Sequence, residues 1–200
     1  MERLPLAVGV LGALLLLRAP AAAEAPASQP AFRAADWQVR QGQWRFTDAG
    51  ELECAGRGRS SLVYHATARP RDLDVAVDVW FLGPESSAGI VFRAAGEPYG
   101  RETFYQFEWY TRGTHHDRRL SLMVKNPKWK QLVKPTYPDA PFGRWITLRV
   151  RAVGDRIECF VDGKLAFKQR DRTYPRAGLV GLHVWQPRPV KFRNWRLGEP

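Results

Sequence analysis

Cysteine is nearly absent: the 200-residue chain carries 2, Cys54 and Cys159, neither in a CxxC pair nor beside a histidine. That excludes a cysteine-built zinc site or dithiol redox centre. Helical patterning is missing as well, since no segment of useful length repeats its apolar residues every three to four positions, and a helix bundle is therefore excluded. Acidic residues are few, 20 against 31 Lys and Arg, for a formal charge of +11. No run of one sign is long enough to mark a disordered tail. No Asp-x-Asp-x-Asp loop occurs, so Asp155, Asp162 and Asp171 read as turn residues rather than calcium ligands. A single long apolar run exists, Leu4 to Leu17, after a short basic start and before a string of small residues. It falls short of the ~20 residues that cross a bilayer. The expectation is a signal peptide over 1–23, cut after Ala23, with a membrane anchor as the alternative. No later segment qualifies as a span, so the mature chain is expected to be secreted or periplasmic.

Present in quantity are the materials of a core, 44% hydrophobic and 12% aromatic residues, enough for a single packed domain. Residues 24–35, with Pro26 and Pro30, read as a linker, and the domain is expected over 36–200. From Asp36 onward apolar residues recur at every second position in short runs: WQVRQGQWRF, SLVYHA, LDVAVDVWFL, AGIVFRA, FYQFEWY, RLSLMVK, WITLRVRAV, RIECFV, GLVGLHVW and VKFRNWRL among them. Turn signals separate them, including Arg57-Gly58, Gly83-Pro84, Gly96-Glu97-Pro98 and Gly154-Asp155. Many short strands at this spacing predict an all-β, two-sheet antiparallel jelly-roll sandwich. Asp162-Gly163, between IECFV and KLAF, is the clearest hairpin. Both cysteines lie in strand-like runs and, in an oxidising compartment, are a candidate disulfide that would close a loop of roughly 100 residues and stabilise the fold by about 4 to 5 kcal/mol. Two buried thiols are the alternative.

Alternation also nominates a working surface. In FYQFEWY it puts Tyr105, Phe107 and Trp109 in the core and Gln106, Glu108 and Tyr110 on the other face. The neighbouring runs then contribute Gly89, Val91 and Arg93, and Arg119, Ser121, Met123 and Lys125. If those strands are neighbours, Arg93, Glu108 and Arg119 fall within ion-pair range, with His183 and Trp185 joining from the penultimate strand. Aromatic faces suit the C–H patches of a sugar ring, and arginine suits a carboxylate or sulfate. The expected partner is thus an oligo- or polysaccharide, an anionic one if the charge reflects a ligand rather than codon bias. Nucleic acid is not expected for an exported chain. Tyr110, Trp129 and Trp185 also suit plain packing, and Arg93 with Glu108 a neutralising pair. His115 and His116 stand on a loop with only Asp117 near, and adjacent histidines point apart, so neither a metal nor a cofactor is expected.

The order of AGIVFR, FYQFEWY, RLSLMVK, GRWITLRV, RIECFVDGKLAF, AGLVGLHVW and VKFRNWRL resembles the concanavalin A-like, laminin G-like jelly rolls of secreted proteins. Within them the chain is similar to the 3-keto-disaccharide hydrolase family over nearly all its mature length, most specifically at Gly178 to Leu182 and Phe192 to Leu197. The resemblance implies two curved sheets with a sugar site on the concave face. Departures are several: the family's Tyr-Glu-x-Gln is Tyr105-Gln106-Phe107-Glu108, its Trp-Asn is Trp145-Ile146, and a histidine before its Asn-Gly turn falls at Cys159. Its Gln-x-His becomes His183-Val184-Trp185. Each removes a polar group that chemistry needs, so the leading expectation is a non-catalytic carbohydrate-binding module. The alternatives are a hydrolase or lyase on 3-keto-disaccharides, with Glu108 or His183 as base, and an envelope protein that binds another protein.

Overall fold

Period-two sequence becomes strand wherever a turn residue lets the chain reverse. The computed structural model describes residues 31–55, 60–95, 101–113, 119–126, 128–133, 136–185 and 188–200. The expected signal peptide, the turn signals at Arg57-Gly58 and Gly96-Glu97-Pro98, and His115, His116 and Asp117 lie outside the described residues. The described residues form fourteen strands: β1 Trp37–Gln41, β2 Trp44–Phe46, β3 Leu52–Cys54, β4 Ser61–His65, β5 Leu73–Phe81, β6 Ser87–Ala95, β7 Thr103–Tyr110, β8 Leu120–Asn126, β9 Lys128–Val133, β10 Trp145–Val153, β11 Arg156–Val161, β12 Lys164–Arg170, β13 Leu179–Trp185 and β14 Val190–Gly198. The helical content among these residues is one 3-10 turn, Ala34–Asp36.

Two antiparallel seven-stranded sheets result, in the orders β1-β4-β13-β6-β7-β8-β9 and β12-β11-β10-β5-β14-β3-β2. Between them lies one core in which Ile90, Phe92, Tyr105, Phe107, Leu122 and Leu182 of the first sheet meet Val75, Val77, Val79, Leu148, Val150 and Phe192 of the second. This is the jelly-roll-like sandwich that the alternation predicts. The β11–β12 hairpin turns on Asp162 and Gly163, at φ 46° and 75°, the doubly left-handed pair that suits a two-residue hairpin loop. Phe32, expected in the linker, is instead buried against Trp37 at a ring separation of 5.0 Å, so the packed domain begins before residue 36.

Two expectations fail here for physical reasons. Cys54 and Cys159 are both buried but not bridged. They sit on β3 and β11, four strand spacings apart in the second sheet, or about 19 Å at ~4.8 Å per strand, whereas a disulfide needs Cα atoms within about 7 Å. Arg93 also leaves the surface that alternation assigned it. The β6–β13 ladder slips between Val91 and Ala94 and the β6–β7 ladder between Phe92 and Ala95, and Arg93 takes φ 50°. Its fully buried guanidinium bonds the carbonyls of Arg71 (2.9 Å) and Tyr174 (3.3 Å) and reaches Asp72 at 3.4 Å. A bulge inserts one residue and re-aims the side chain, making Arg93 a clamp on two loops.

Candidate functional site

The outer face of the first sheet carries a second, smaller apolar cluster of Leu62, Tyr64, Val91, Ala94 and Phe104. Beside it the expected polar row is present but buried: Gln106 is 1%, Glu108 1%, Tyr110 3% and His183 5% exposed. A carboxylate survives such burial only when partners replace water. Glu108 has four. Its Oε1 accepts from the Ser87 hydroxyl at 2.5 Å and lies 3.3 Å from His183 Nδ1, while its Oε2 accepts from Gln106 Nε2 and, at 2.6 Å, from the Tyr110 hydroxyl. Burial alone would push the Glu108 carboxyl up. Hydrogen bonds from His183, Ser87 and Tyr110 outweigh it and hold the group below the usual carboxylate range.

Backbone geometry makes this hub possible. Gly89 lies directly between Glu108 on β7 and His183 on β13. Its missing side chain leaves a lane two strand spacings wide, across which the imidazole reaches the carboxylate. A Cβ at Gly89 would collide with the Phe107 carbonyl and come within 2.7 Å of the Glu108 Cα. His183 is then fixed at both ring nitrogens. Nδ1 faces both the Glu108 carboxylate at 3.3 Å and the Gln106 amide nitrogen at 3.1 Å; an ionised carboxylate only accepts, so the Glu108 contact calls for hydrogen on Nδ1. In that tautomer Nε2, 2.9 Å from the Ser60 hydroxyl, accepts its proton.

The hub floors a cavity of about 250 Å³ lined also by Ser60, Glu102, Lys125, Trp129 and Trp185. Lys125 Nζ pairs with Glu102 at 3.4 Å and sits over the Phe104 and Trp129 rings, 5.6 and 5.9 Å from their centroids. Trp129, 45% exposed on β9, stands at the rim. Gln106 Oε1 is buried with no hydrogen-bond partner, because its amide nitrogen is committed to Glu108. The cavity thus presents one unmet acceptor, one ammonium and an aromatic wall.

Of the side chains nominated from sequence, Gln106, Glu108, Tyr110, His183 and Trp185 line this cavity, and Arg93 and Arg119 do not. Arg119 precedes β8 and points to Asp139 at 3.3 Å, so neither arginine meets Glu108. Alternation placed Gly89 on this face; Ser60 and Ser87 were not nominated. Ser87 and Gly89 share the alternation of SSAGIVF, the available signal, while Ser60 precedes β4 and carries none. Among the described residues no group of three or more His, Cys, Asp or Glu side chains could hold a metal. No helix among them is long and apolar enough to cross a membrane.

A wider groove of about 1,480 Å³ runs along the second sheet past Asp74, Ala76, Arg149 and Trp195. Two of its charged pairs are spent on each other, Arg149 gripping Asp74 through two nitrogens and Arg33 bonding Asp36. The Trp195 N–H, buried there without a hydrogen bond, is a single donor rather than a converging set. The smaller cavity is where the chemistry collects.

The fold and this buried polar floor can now be set against known proteins. A family model, the 3-keto-α-glucoside-1,2-lyase-like domain, matches residues 30–198. The chain belongs to that family. Its fold is shared by the carbohydrate-binding module CBM66 from Bacillus subtilis, with a TM-score of 0.68 at 18% identity over 82% of this chain and 96% of that one. A galectin-like protein of unknown function from Bacillus subtilis gives a TM-score of 0.67 at 14% identity, over 86% and 94%. A Bacillus licheniformis β-glucanase gives 0.58 at 12%, over 84% and 94%. At these identities the likeness is of fold alone. No curated protein matches the sequence.

Proposed function

We propose that this domain is an exported glycan-binding jelly roll whose cavity, on the concave outer face of the first sheet, takes one sugar ring. The observation that carries this reading is the buried, ionised Glu108 hub with Gln106 Oε1 left unmet beside it. An unmatched buried acceptor costs about 1 to 3 kcal/mol, and a sugar hydroxyl supplies the missing donor. The volume lies just below the ~300 to 1,000 Å³ of drug-sized sites, which suits a single ring rather than a long chain. Trp129 offers that ring an apolar face. With Arg93 and Arg119 directed elsewhere, the cation lining the cavity among the described residues is Lys125, already shared with Glu102. A neutral ring therefore fits the floor better than the anionic one expected from the net charge.

A second reading, a lyase or hydrolase on 3-keto-glycosides, is favoured by the family match. Two-carboxylate glycoside hydrolysis is not. Glu102 and Glu108 are six residues apart along one strand, about 20 Å at ~3.3 Å per residue, where a paired mechanism needs roughly 5 to 9.5 Å. Isothermal titration of the protein with neutral, uronic and 3-keto oligosaccharides, each sample followed for released monosaccharide, separates the readings. Saturable binding without product supports the binding domain. Release from the 3-keto sugars alone replaces it with the lyase, and no binding to any sugar ends both.

A further inference from the structure

We propose that Ser60, His183 and Glu108 form a nucleophile–base–carboxylate relay that removes a small O-acyl group, such as acetyl, from the sugar in this cavity. The inference rests on the reading of the cavity as a sugar site and adds a reaction to it. Three observations carry it. The links are in order: Ser60 Oγ lies 2.9 Å from His183 Nε2, and His183 Nδ1 lies 3.3 Å from Glu108 Oε1. The tautomer with hydrogen on Nδ1, the one that bonds the buried carboxylate rather than accepting from the Gln106 amide nitrogen 3.1 Å away, leaves Nε2 to receive the serine proton. The chain also runs outward, from Glu108 at 1% exposure through His183 at 5% to a half-buried Ser60 that lines the cavity.

A serine bonded to a histidine for orientation alone would be redundant here, since Glu108 already fixes the ring from its other nitrogen. What Ser60 adds is a hydroxyl at the solvent-reachable end, next to a base. Such constellations recur on unrelated folds and are recognised by geometry and role. Glu108 is suited to the carboxylate part for the reason that disqualifies it as base: its acceptor positions are occupied.

The step balances without oxidant or cofactor. Ser60 Oγ bonds to the acyl carbon as its proton passes to Nε2, and the carbonyl electron pair moves onto oxygen beside the Lys125 ammonium of the same cavity. The intermediate collapses, the C–O bond to the sugar breaks, and the sugar oxygen takes the proton from Nε2. Water then attacks the acyl-serine by the same route, giving up one proton to His183, which returns it to Ser60 as the free acid departs.

The test uses the full protein with 4-nitrophenyl acetate, with acetylated methyl glucosides, and with a fluorophosphonate as covalent probe. Expected are acetate release, a fluorophosphonate adduct whose mass maps to Ser60, and a loss of turnover of at least ~10³-fold in both Ser60→Ala and His183→Gln. The double variant should be no worse than either single one. Titration with unacylated methyl glucoside separates the two claims. Binding of that sugar with no acetate release, or with an adduct away from Ser60, overturns the relay and leaves the sugar site standing. Absence of sugar binding removes both.

Discussion

Replacing Glu108 by glutamine keeps its shape and removes its charge, so it isolates what the ionised hub contributes. Four donors converge on the carboxylate in the folded protein. A hydrogen bond to a buried charge contributes about 1.5 to 3 kcal/mol, but the bonds are not additive and burial opposes them. The glutamine also turns an N–H toward one pair of these groups, and the Gln106 amide N–H and the His183 ring N–H cannot accept it. A net loss of about 3 kcal/mol is expected at pH 7, within the range for breaking a buried charged pair. At ~2 to 4 °C per kcal/mol for a domain of about 170 residues, the melting temperature should fall by roughly 6 to 12 °C. The sign with pH follows from the direction of the shift. Glu108 is held below its unfolded value of ~4.3, so its contribution is complete above about pH 5 and is lost as pH falls through the folded value. The gap between wild type and variant, measured by calorimetry from pH 7 to pH 3, should therefore be widest near neutrality and narrow in acid. A variant that melts within ~1 °C of wild type at pH 7, or a gap constant across that range, refutes the account of the hub.

Gly89→Ala places a Cβ into backbone on β7 and should cost about 3 kcal/mol, read as a melting shift accompanied by loss of sugar binding. Arg93→Met should destabilise by a similar amount, because two buried carbonyls lose their donor, yet any variant fraction that folds should bind sugar as wild type does. Neither reducing agent nor the Cys54→Ala/Cys159→Ala pair should remove a covalent bridge, so non-reducing mass measurement after denaturation in iodoacetamide should find two alkylated thiols. In the native state Cys159 should resist alkylation, since burial pushes its thiol well up. Trp129→Ala, at a half-exposed rim position, should change stability by no more than ~0.5 kcal/mol while weakening sugar affinity about tenfold by titration.

Most of the fold was legible because its information is local. Period-two alternation and turn residues located the strands, and Asp162-Gly163 specified its hairpin through the left-handed conformations that those residues tolerate. What escaped depended on one-residue slips and on long-range placement. Strict alternation put Arg93 beside Glu108, but one bulge in β6 turned its side chain into a loop clamp. Nothing in the spacing of Cys54 and Cys159 discloses that three strands lie between them. The polar row of β7 was placed on the correct face and expected to be exposed. Burial came from Leu62, Tyr64, Val91 and Phe104, which lie on two other strands, β4 and β6, and at the start of β7 itself, so no single segment carries that signal. Ser60 is the extreme case, since its relation to His183 spans 123 residues.

The two outer faces answer the question of where function resides by spending polarity differently. On the second sheet, Arg149 with Asp74 and Arg156 with Glu158 form partly exposed ion pairs, and Arg193 stacks 4.2 Å over Trp145 with its Nε buried and without a hydrogen bond. Such pairs contribute at most about 1 kcal/mol each, screened by salt, and the fold loses little by changing them. On the first sheet the fold instead buries a charge, a histidine and an amide together, and leaves Gln106 Oε1 without a partner. An apolar floor of the same shape would be easier to bury. The hub therefore has to be accounted for by what enters the cavity above it. In the proposed relay, the filled acceptor positions of Glu108 make the carboxylate the orienting group, with His183 as the base and the rim groups toward the ligand.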